Sequence, residues 1–184
     1  MYKVKLLNKI SPSGLAQFKQ SPHTYECADE VDSPDAVIVR SASMHDMDIP
    51  ESVLAIARAG AGYNNIPVDA CTEKGICVFN TPGANANAVK ELTIAGLLMS
   101  ARKVYPSMTW VQTLKGEGDK VAALAEKGKG NFTGPELRGK TLGVIGLGAI
   151  GVLVANAASH RELGMEVYGY DPYMSVNAAW NLSR

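Results

Sequence analysis

The sequence predicts an α/β protein, because short apolar runs rich in Val and Ile alternate with helix-like segments. The runs lack a clean polar alternation, which is typical of strands buried on both faces of a parallel sheet. They lie at 4–7, 36–39, 54–57, 76–79, 142–145 and 167–170. The segments 11–19, 46–53 and 67–74 are predicted to be helices that cover this sheet.

A Thr-Pro-Gly break near residues 81–84 predicts a domain boundary. The helix predicted after it, over 86–103, is apolar nearly all round, so we expect both of its sides to be buried. It could lie between two domains or two subunits, or it could be an ordinary core helix. Residues 116–140 are rich in Gly and Lys and are predicted to form a short helix with surface loops.

The composition is that of a globular protein in water, with 46% hydrophobic and 20% charged residues in 184. The formal net charge is zero and no basic block stands out, which argues against nucleic acid or a membrane surface as partner. The three cysteines, Cys27, Cys71 and Cys77, have no C-x-x-C spacing. We therefore expect reduced thiols, a cytoplasmic location and no metal site.

A glycine motif follows the run at 142–145, with Gly146, Gly148 and Gly151 spaced G-x-G-x-x-G and a helix-like segment after them. A strand, this turn and a helix together predict a dinucleotide site. The first glycine makes the bend, the second admits the pyrophosphate, and the third allows the helix to approach the strand. The N-terminus of the helix binds the anion.

An aspartate supports this interpretation. Asp171 directly follows the run at 167–170 and lies about 20 positions after Gly151, where an acid binds the ribose hydroxyls of NAD. A carboxylate there favours NAD over NADP. The alternative is a ligand-free glycine turn with an incidental aspartate.

Several motifs in order resemble the D-isomer-specific 2-hydroxyacid dehydrogenase family over nearly the whole chain. They read VIVRSAS, then IARAGAGYNNIPVDACTEKGICVFNTPGANANAVKELTIAGLL, then LRGKTLGVIGLGAIG and YGYDPY. The resemblance implies a flavodoxin-like substrate domain at 1–84 and the first part of a Rossmann NAD-binding domain at 85–184, with the active site between them. It also implies NAD as cofactor, a small 2-hydroxy or 2-oxo acid as substrate, and a homodimer through the nucleotide-binding domain.

The resemblance assigns site residues by position. The cofactor-binding set is Gly146, Gly148, Ala149, Ile150, Gly151 and Asp171. The substrate-binding set is Arg40, Ser41, Gly60, Ala61, Gly62 and Asn85. Arg40 is also supported by its place after a buried strand, where an arginine can hold an oxyanion at the carboxyl edge of the sheet, although it could be an ordinary surface arginine.

Two positions depart from the family pattern. Ala149 stands where many members carry a basic residue, so a side-chain contact to phosphate is lost. Ala61 stands where relatives often have a hydroxyl, which puts a polar contact near the nicotinamide in doubt.

None of the three histidines matches the family's catalytic base. The family pairs a histidine with a glutamate and adds an arginine, all downstream of the second Rossmann strand. His23, His45 and His160 are expected to be solvated or packing residues, so no catalytic residue is assigned. We therefore expect the chain to be an N-terminal part of a longer dehydrogenase, inactive alone and marginally stable or self-associating because half a parallel sheet exposes apolar faces.

Three functions remain open. Within the family, the chain looks most like members that oxidise D-3-phosphoglycerate at the start of serine biosynthesis. A glyoxylate or hydroxypyruvate reductase, or another D-2-hydroxyacid dehydrogenase, is the alternative. An alternative of another class is an NAD-binding module without turnover, like the corepressors of this fold.

Overall fold

The computed structural model of the chain describes residues 1–182, which form two compact units. The first unit is Met1–Asn85, and the second begins at Ala86. Both contain parallel strands and helices, which confirms the α/β class. No helix within residues 1–182 combines the length and the apolar character needed to cross a membrane.

The first unit is a five-stranded parallel sheet in the order β2-β1-β3-β4-β5. This is the flavodoxin-like order, in which the chain reverses direction across the sheet at β1. The strands are β1 (Tyr2–Leu7), β2 (Tyr25–Ala28), β3 (Ala36–Val39), β4 (Ala55–Arg58) and β5 (Cys77–Phe79). The helices are α1 (Pro12–Leu15), continued by a 3-10 turn at Ala16–Gln20, and α2 (Val68–Glu73).

Both faces of this first sheet carry buried residues. Val37 and Val39 of β3 are 4% and 0% exposed and join the main core cluster with Ile56. Val4 and Leu6 of β1 are also buried but pair with Ala36 and Ile38. Because successive side chains alternate between faces, they lie on the face opposite to Val37 and Val39. The expected two-sided burial therefore holds for this sheet.

The helix predicted at 46–53 was wrong, because this segment is a turn-rich loop. Pro50 disfavours helical geometry at the preceding residue, Ile49. The loop nevertheless buries Ile49 and Val53 in the core. Lys74 Nζ donates to the Ile49 carbonyl at 3.1 Å, and Ser52 Oγ donates to that of Pro34 at 2.9 Å. The spacing of apolar residues thus predicted the burial of Ile49 and Val53 correctly but did not predict the secondary structure.

The second unit contains a two-stranded parallel sheet and most of the helices. The strands are β6 (Thr141–Ile145) and β7 (Glu166–Tyr170). The helices are α3 (Ala86–Ala101), α4 (Val104–Thr113), α5 (Val121–Gly128), α6 (Ala149–Ser159) and α7 (Val176–Trp180), with 3-10 turns at Gly118–Lys120 and Lys129–Phe132. Lys103 adopts a left-handed φ of 50°, which separates α3 from α4.

Burial in the second unit differs from expectation. Ile145 is 89% exposed and Tyr168 is 67% exposed, because α6 covers only one face of the two-stranded sheet. Of the residues of α3, all of which the structure describes, Ala86 alone is buried. α3 packs against α6, whereas Leu92 is 74% exposed. Within the described chain this helix is therefore not buried all round, and its covering by a second domain or subunit stays a prediction.

Candidate functional site

The loop after β3 carries Arg40 and Ser41 at the carboxyl edge of the first sheet. Both residues are exposed, and the backbone of Ser41 and Ala42 is held by a residue that follows the neighbouring strand. Asn8 follows β1, and its Oδ1 accepts hydrogen bonds from the backbone N–H groups of Ser41 at 2.8 Å and Ala42 at 2.7 Å. The loop is thus fixed while the side chain of Arg40 stays exposed.

The Gly60–Gly62 loop follows the adjacent strand, β4, and is braced from β5. Thr81 N–H donates to the Gly60 carbonyl at 3.0 Å, and Asn80 Nδ2 donates to that of Ala61 at 2.8 Å. A Cβ at Gly60 would overlap the guanidinium of Arg58. The glycine therefore lets this side chain lie directly against the loop backbone.

Arg58 is a residue that sequence reasoning missed. It is the last residue of β4 and pairs in register with Val39, one position before Arg40. Its Nε is buried, and no hydrogen-bond partner for this atom is found among the described residues. A buried guanidinium N–H without an acceptor is costly, so this group is suited to an anionic ligand. The sequence did contain a signal for it, because Arg58 directly follows a predicted strand, as Arg40 does.

Two other polar residues belong to the first unit. Asn85 is exposed in the turn that precedes α3, at the last position of the unit. His45 is exposed, and its Nε2 lies 2.8 Å from the backbone oxygen of Asn64. Because that nitrogen must donate to the carbonyl, it is already used in holding the loop.

The glycine turn of the second unit has a distinct geometry at each glycine. Gly146 has a φ of 91°, in the left-handed region that a residue with a Cβ rarely adopts. Around Gly148, no other group lies within 4 Å of where a Cβ would stand, so space over the turn is open. At Gly151 a Cβ would collide with the Gly146 carbonyl, because α6 approaches the turn closely at this position.

The N-terminus of α6 points its first backbone N–H groups toward this open space. Gly148 is the N-cap, and no side chain caps the helix there. The first-turn N–H groups of a helix have no partner inside it, so those of Ala149, Ile150 and Gly151 can bind an anion. Ala149 and Ile150 are exposed. These features fit the pyrophosphate of a dinucleotide.

Asp171 is half-buried directly after β7 and is already hydrogen-bonded. Its Oδ2 accepts from Leu147 N–H, inside the glycine turn, at 2.8 Å, and its Oδ1 accepts from Tyr173 N–H at 2.8 Å. An ionised carboxylate offers about four lone-pair sites, so it keeps capacity for ribose hydroxyls. Asp171 therefore joins the strand end to the turn.

Two cysteines and two histidines lie outside these loops. Burial raises the pKa of the Cys71 thiol, with Lys74 opposing, and burial also raises the pKa of Cys27. Both shifts disfavour the thiolate nucleophile.

His160 Nδ1 lies 3.8 Å from Glu162 Oε2 on the surface, and His23 packs edge-on against Tyr2. Residues 1–182 contain no group of three or more His, Cys, Asp or Glu side chains arranged to hold a metal.

Comparison with known proteins identifies a family for almost the whole chain. The family model described as "D-isomer specific 2-hydroxyacid dehydrogenase, catalytic domain" matches residues 2–179. A D-3-phosphoglycerate dehydrogenase of Methanocaldococcus jannaschii is 40% identical over 157 residues, covering 84% of this chain and 28% of the relative. The chain thus spans little more than a quarter of that relative's length.

Solved structures agree on the fold. The NAD+-bound 3-phosphoglycerate dehydrogenase of Entamoeba histolytica aligns with a TM-score of 0.66 at 28% identity, over 96% of this chain and 56% of that one. A glyoxylate reductase from Paecilomyes thermophila aligns with a TM-score of 0.69 at 24% identity, over 98% and 59%. At that identity the second similarity concerns the fold alone.

Proposed function

The chain belongs to the D-isomer specific 2-hydroxyacid dehydrogenase family, and on that premise we propose that it supplies the acid-binding and cofactor-binding units for the NAD-dependent oxidation of D-3-phosphoglycerate to 3-phosphohydroxypyruvate. In this proposal Met1–Asn85 binds the acid and the unit beginning at Ala86 binds the cofactor. NAD held by the glycine turn and Asp171 would supply the acceptor for the hydride on the carbon that carries the hydroxyl group.

The observation that carries the cofactor half is the glycine turn joined to Asp171. The open space over Gly148, the uncapped start of α6 and the tight approach of Gly151 are the features that a pyrophosphate needs. Asp171 stands beside this turn with free acceptor capacity for the ribose. Its negative charge would repel the 2′-phosphate of NADP.

The substrate half of the proposal is supported by the two arginines at the edge of the first sheet. Arg40 is exposed after β3, and Arg58 ends the neighbouring strand with an unsatisfied Nε. D-3-phosphoglycerate carries a carboxylate and a phosphate, so two cations suit it better than one. We assign Ser41, Asn85 and the Gly60–Gly62 loop to the same site as supporting contacts.

We assign no general base within the chain. His45 is engaged with Asn64, and His23 and His160 have surface or packing contacts. These engagements also favour a second candidate, an NAD-binding module without turnover. We therefore expect the 184-residue chain to bind both ligands without transferring hydride. Formation of NADH from NAD+ and D-3-phosphoglycerate by the purified chain, followed by its absorbance, would contradict this.

Binding by the chain tests the proposed function. Titration calorimetry should give tighter binding of D-3-phosphoglycerate than of D-glycerate, which lacks the phosphate, and tighter binding of NAD+ than of NADP+. R40A should remove the preference for the phosphorylated acid, whereas K19A, a surface cation elsewhere in the same unit, should keep it. Equal affinity for the two acids would reject D-3-phosphoglycerate as substrate, and hydride transfer by a longer protein containing this chain would reject the module without turnover.

A further inference from the structure

Asn8 occupies a structurally demanding position beside the candidate substrate site. It follows β1, the strand at which the order of the sheet reverses, and ligands of open α/β sheets bind at that point. Its φ is 73°, in the left-handed region that asparagine tolerates better than most residues. The backbone at Asn8 therefore turns sharply just where β1 leaves the sheet.

The side chain of Asn8 fixes the loop after β3. Its single Oδ1 accepts two backbone N–H groups, from Ser41 at 2.8 Å and from Ala42 at 2.7 Å. A carbonyl oxygen has two lone pairs, so this acceptor is fully used inside the protein. The Oδ1 atom therefore cannot also accept a hydrogen bond from a ligand.

The same loop is held on its other side by Asn65. Asn65 Nδ2 donates to the Ala42 carbonyl at 2.8 Å, and the Asn65 carbonyl accepts from Met44 N–H at 2.8 Å. Met44 is 2% exposed and belongs to the main core cluster. Between these two anchors the backbone of Ser41 and Ala42 has little freedom, while the side chains of Arg40 and Ser41 stay exposed.

We propose that Asn8 is a positioning residue for substrate binding, holding the Ser41–Ala42 backbone directly after Arg40 so that the arginine meets the acid's oxyanion at a low ordering cost. The inference rests on the proposed function, because it assumes that Arg40 binds the acid. Fixing the loop before the ligand arrives removes part of the entropy that binding would otherwise cost. A neutral amide does this without placing a negative charge beside an anion site.

The test uses N8G in the full chain. Glycine adopts a φ of 73° without strain, so N8G removes the amide and leaves the turn. We expect hydrogen exchange of the Ser41 and Ala42 amides to accelerate by roughly threefold to tenfold, the range given by loss of one hydrogen bond. Binding of D-3-phosphoglycerate should weaken by a similar factor, while exchange of the buried amides of β3 and β4 stays unchanged, which general destabilisation of the first unit would not produce.

Two variants serve as controls. S33G places glycine at another left-handed position of the same unit, where φ is 51°, and should change neither exchange at Ser41 nor ligand affinity. N8D keeps an acceptor for both N–H groups and should retain their slow exchange.

The outcomes separate the two proposals. Unchanged exchange in N8G, or faster exchange with unchanged affinity for D-3-phosphoglycerate, would overturn the role of Asn8 alone. An unaltered chain that does not bind D-3-phosphoglycerate would overturn the proposed function, and with it the purpose assigned to Asn8.

Discussion

The two parallel sheets of this chain differ in how completely they are covered. In the five-stranded sheet, Val39 and Ile56 are 0% exposed, and loops and helices bury residues on both faces. In the two-stranded sheet, Ile145 is 89% exposed and Tyr170 is 66% exposed. Yet the second sheet carries the glycine turn, whose backbone is tightly fixed, so a precise turn does not require a fully enclosed sheet.

The reason lies in what defines each candidate site. The glycine turn is fixed locally, by the backbone of Gly146, the close approach of Gly151 and the carboxylate of Asp171. The candidate substrate site around Arg40 and Arg58 instead depends on three neighbouring strands, β1, β3 and β4, whose loops brace one another. Core damage in the first unit should therefore reach its site, whereas exposed positions of the second sheet should be tolerant.

A matched pair of isoleucines tests the contrast most strongly. I56A removes a fully buried side chain from β4 and should lower the free energy of unfolding by about 2–5 kcal/mol, because a cavity remains. I145A, on β6, should change it by less than about 0.5 kcal/mol, because that side chain is exposed. Urea unfolding measures both, and comparable losses would mean that Ile145 is covered in solution, for example by self-association.

The next largest effect is expected at the contact between α6 and the turn. In G151A the new methyl group meets the backbone of Gly146 and cannot be accommodated by a side-chain rotation. Such overpacking costs about 1–3 kcal/mol, and NAD+ binding should fall with it. G14A, where a Cβ meets no atom within 4 Å, is the control. Calorimetry showing full NAD+ affinity in G151A would separate the helix–turn packing from cofactor binding.

Asp171 should act both on the ribose and on the turn. D171A should weaken binding of ADP-ribose by about 1.5–3 kcal/mol, the range for hydrogen bonds to a charged group. D171A should also weaken binding of an ADP-ribose analogue that lacks the 2′- and 3′-hydroxyls of the adenosine ribose. This second loss of affinity should be smaller, and it arises because Leu147 N–H loses its acceptor.

Titration calorimetry with both ligands separates these two contributions. Unchanged affinity for the analogue would restrict Asp171 to the ribose, and unchanged affinity for ADP-ribose would remove it from the site. D119A, an exposed carboxylate of the same unit, should leave both affinities unchanged.

The smallest effects on stability concern the first two glycines. G146A forces a residue with a Cβ to a φ of 91° and should cost about 1 kcal/mol of unfolding free energy. G148A has an ordinary φ of −76° and open space, so stability should change by less than about 0.5 kcal/mol. Its methyl group would nevertheless stand where we expect the pyrophosphate, so NAD+ affinity should fall. A G148A variant with normal affinity would move the pyrophosphate away from this turn.

Local features of the chain were predictable from the sequence. The strand at Ala36–Val39 has the predicted bounds, and the six predicted runs all overlap strands. Ser175 is the N-cap of α7, accepting from Ala178 N–H at 3.1 Å. Each of these depends on propensities or hydrogen bonds spanning a few residues, which a short window of sequence contains.

Other features depended on which distant segments meet. β2 was missed because Tyr25–Ala28 mixes polar and apolar residues, and only its pairing with β1 makes it a strand. The hydrogen bond between Asn8 and Ser41, which are 33 positions apart, likewise leaves no local signature. The exposed side of α3 was also not predictable from a short window of sequence, because apolar composition does not specify which neighbour covers a helix.

The sequence by itself determined the α/β class, the family and the glycine turn, because these are encoded in local patterns of backbone preference and side-chain chemistry. Only the tertiary structure decided that Asn8 braces the Arg40 loop, that Arg58 has an unsatisfied guanidinium nitrogen, and that Asp171 accepts a hydrogen bond from the glycine turn. These relations arise when the ends of parallel strands, far apart in the chain, come together at one edge of a sheet.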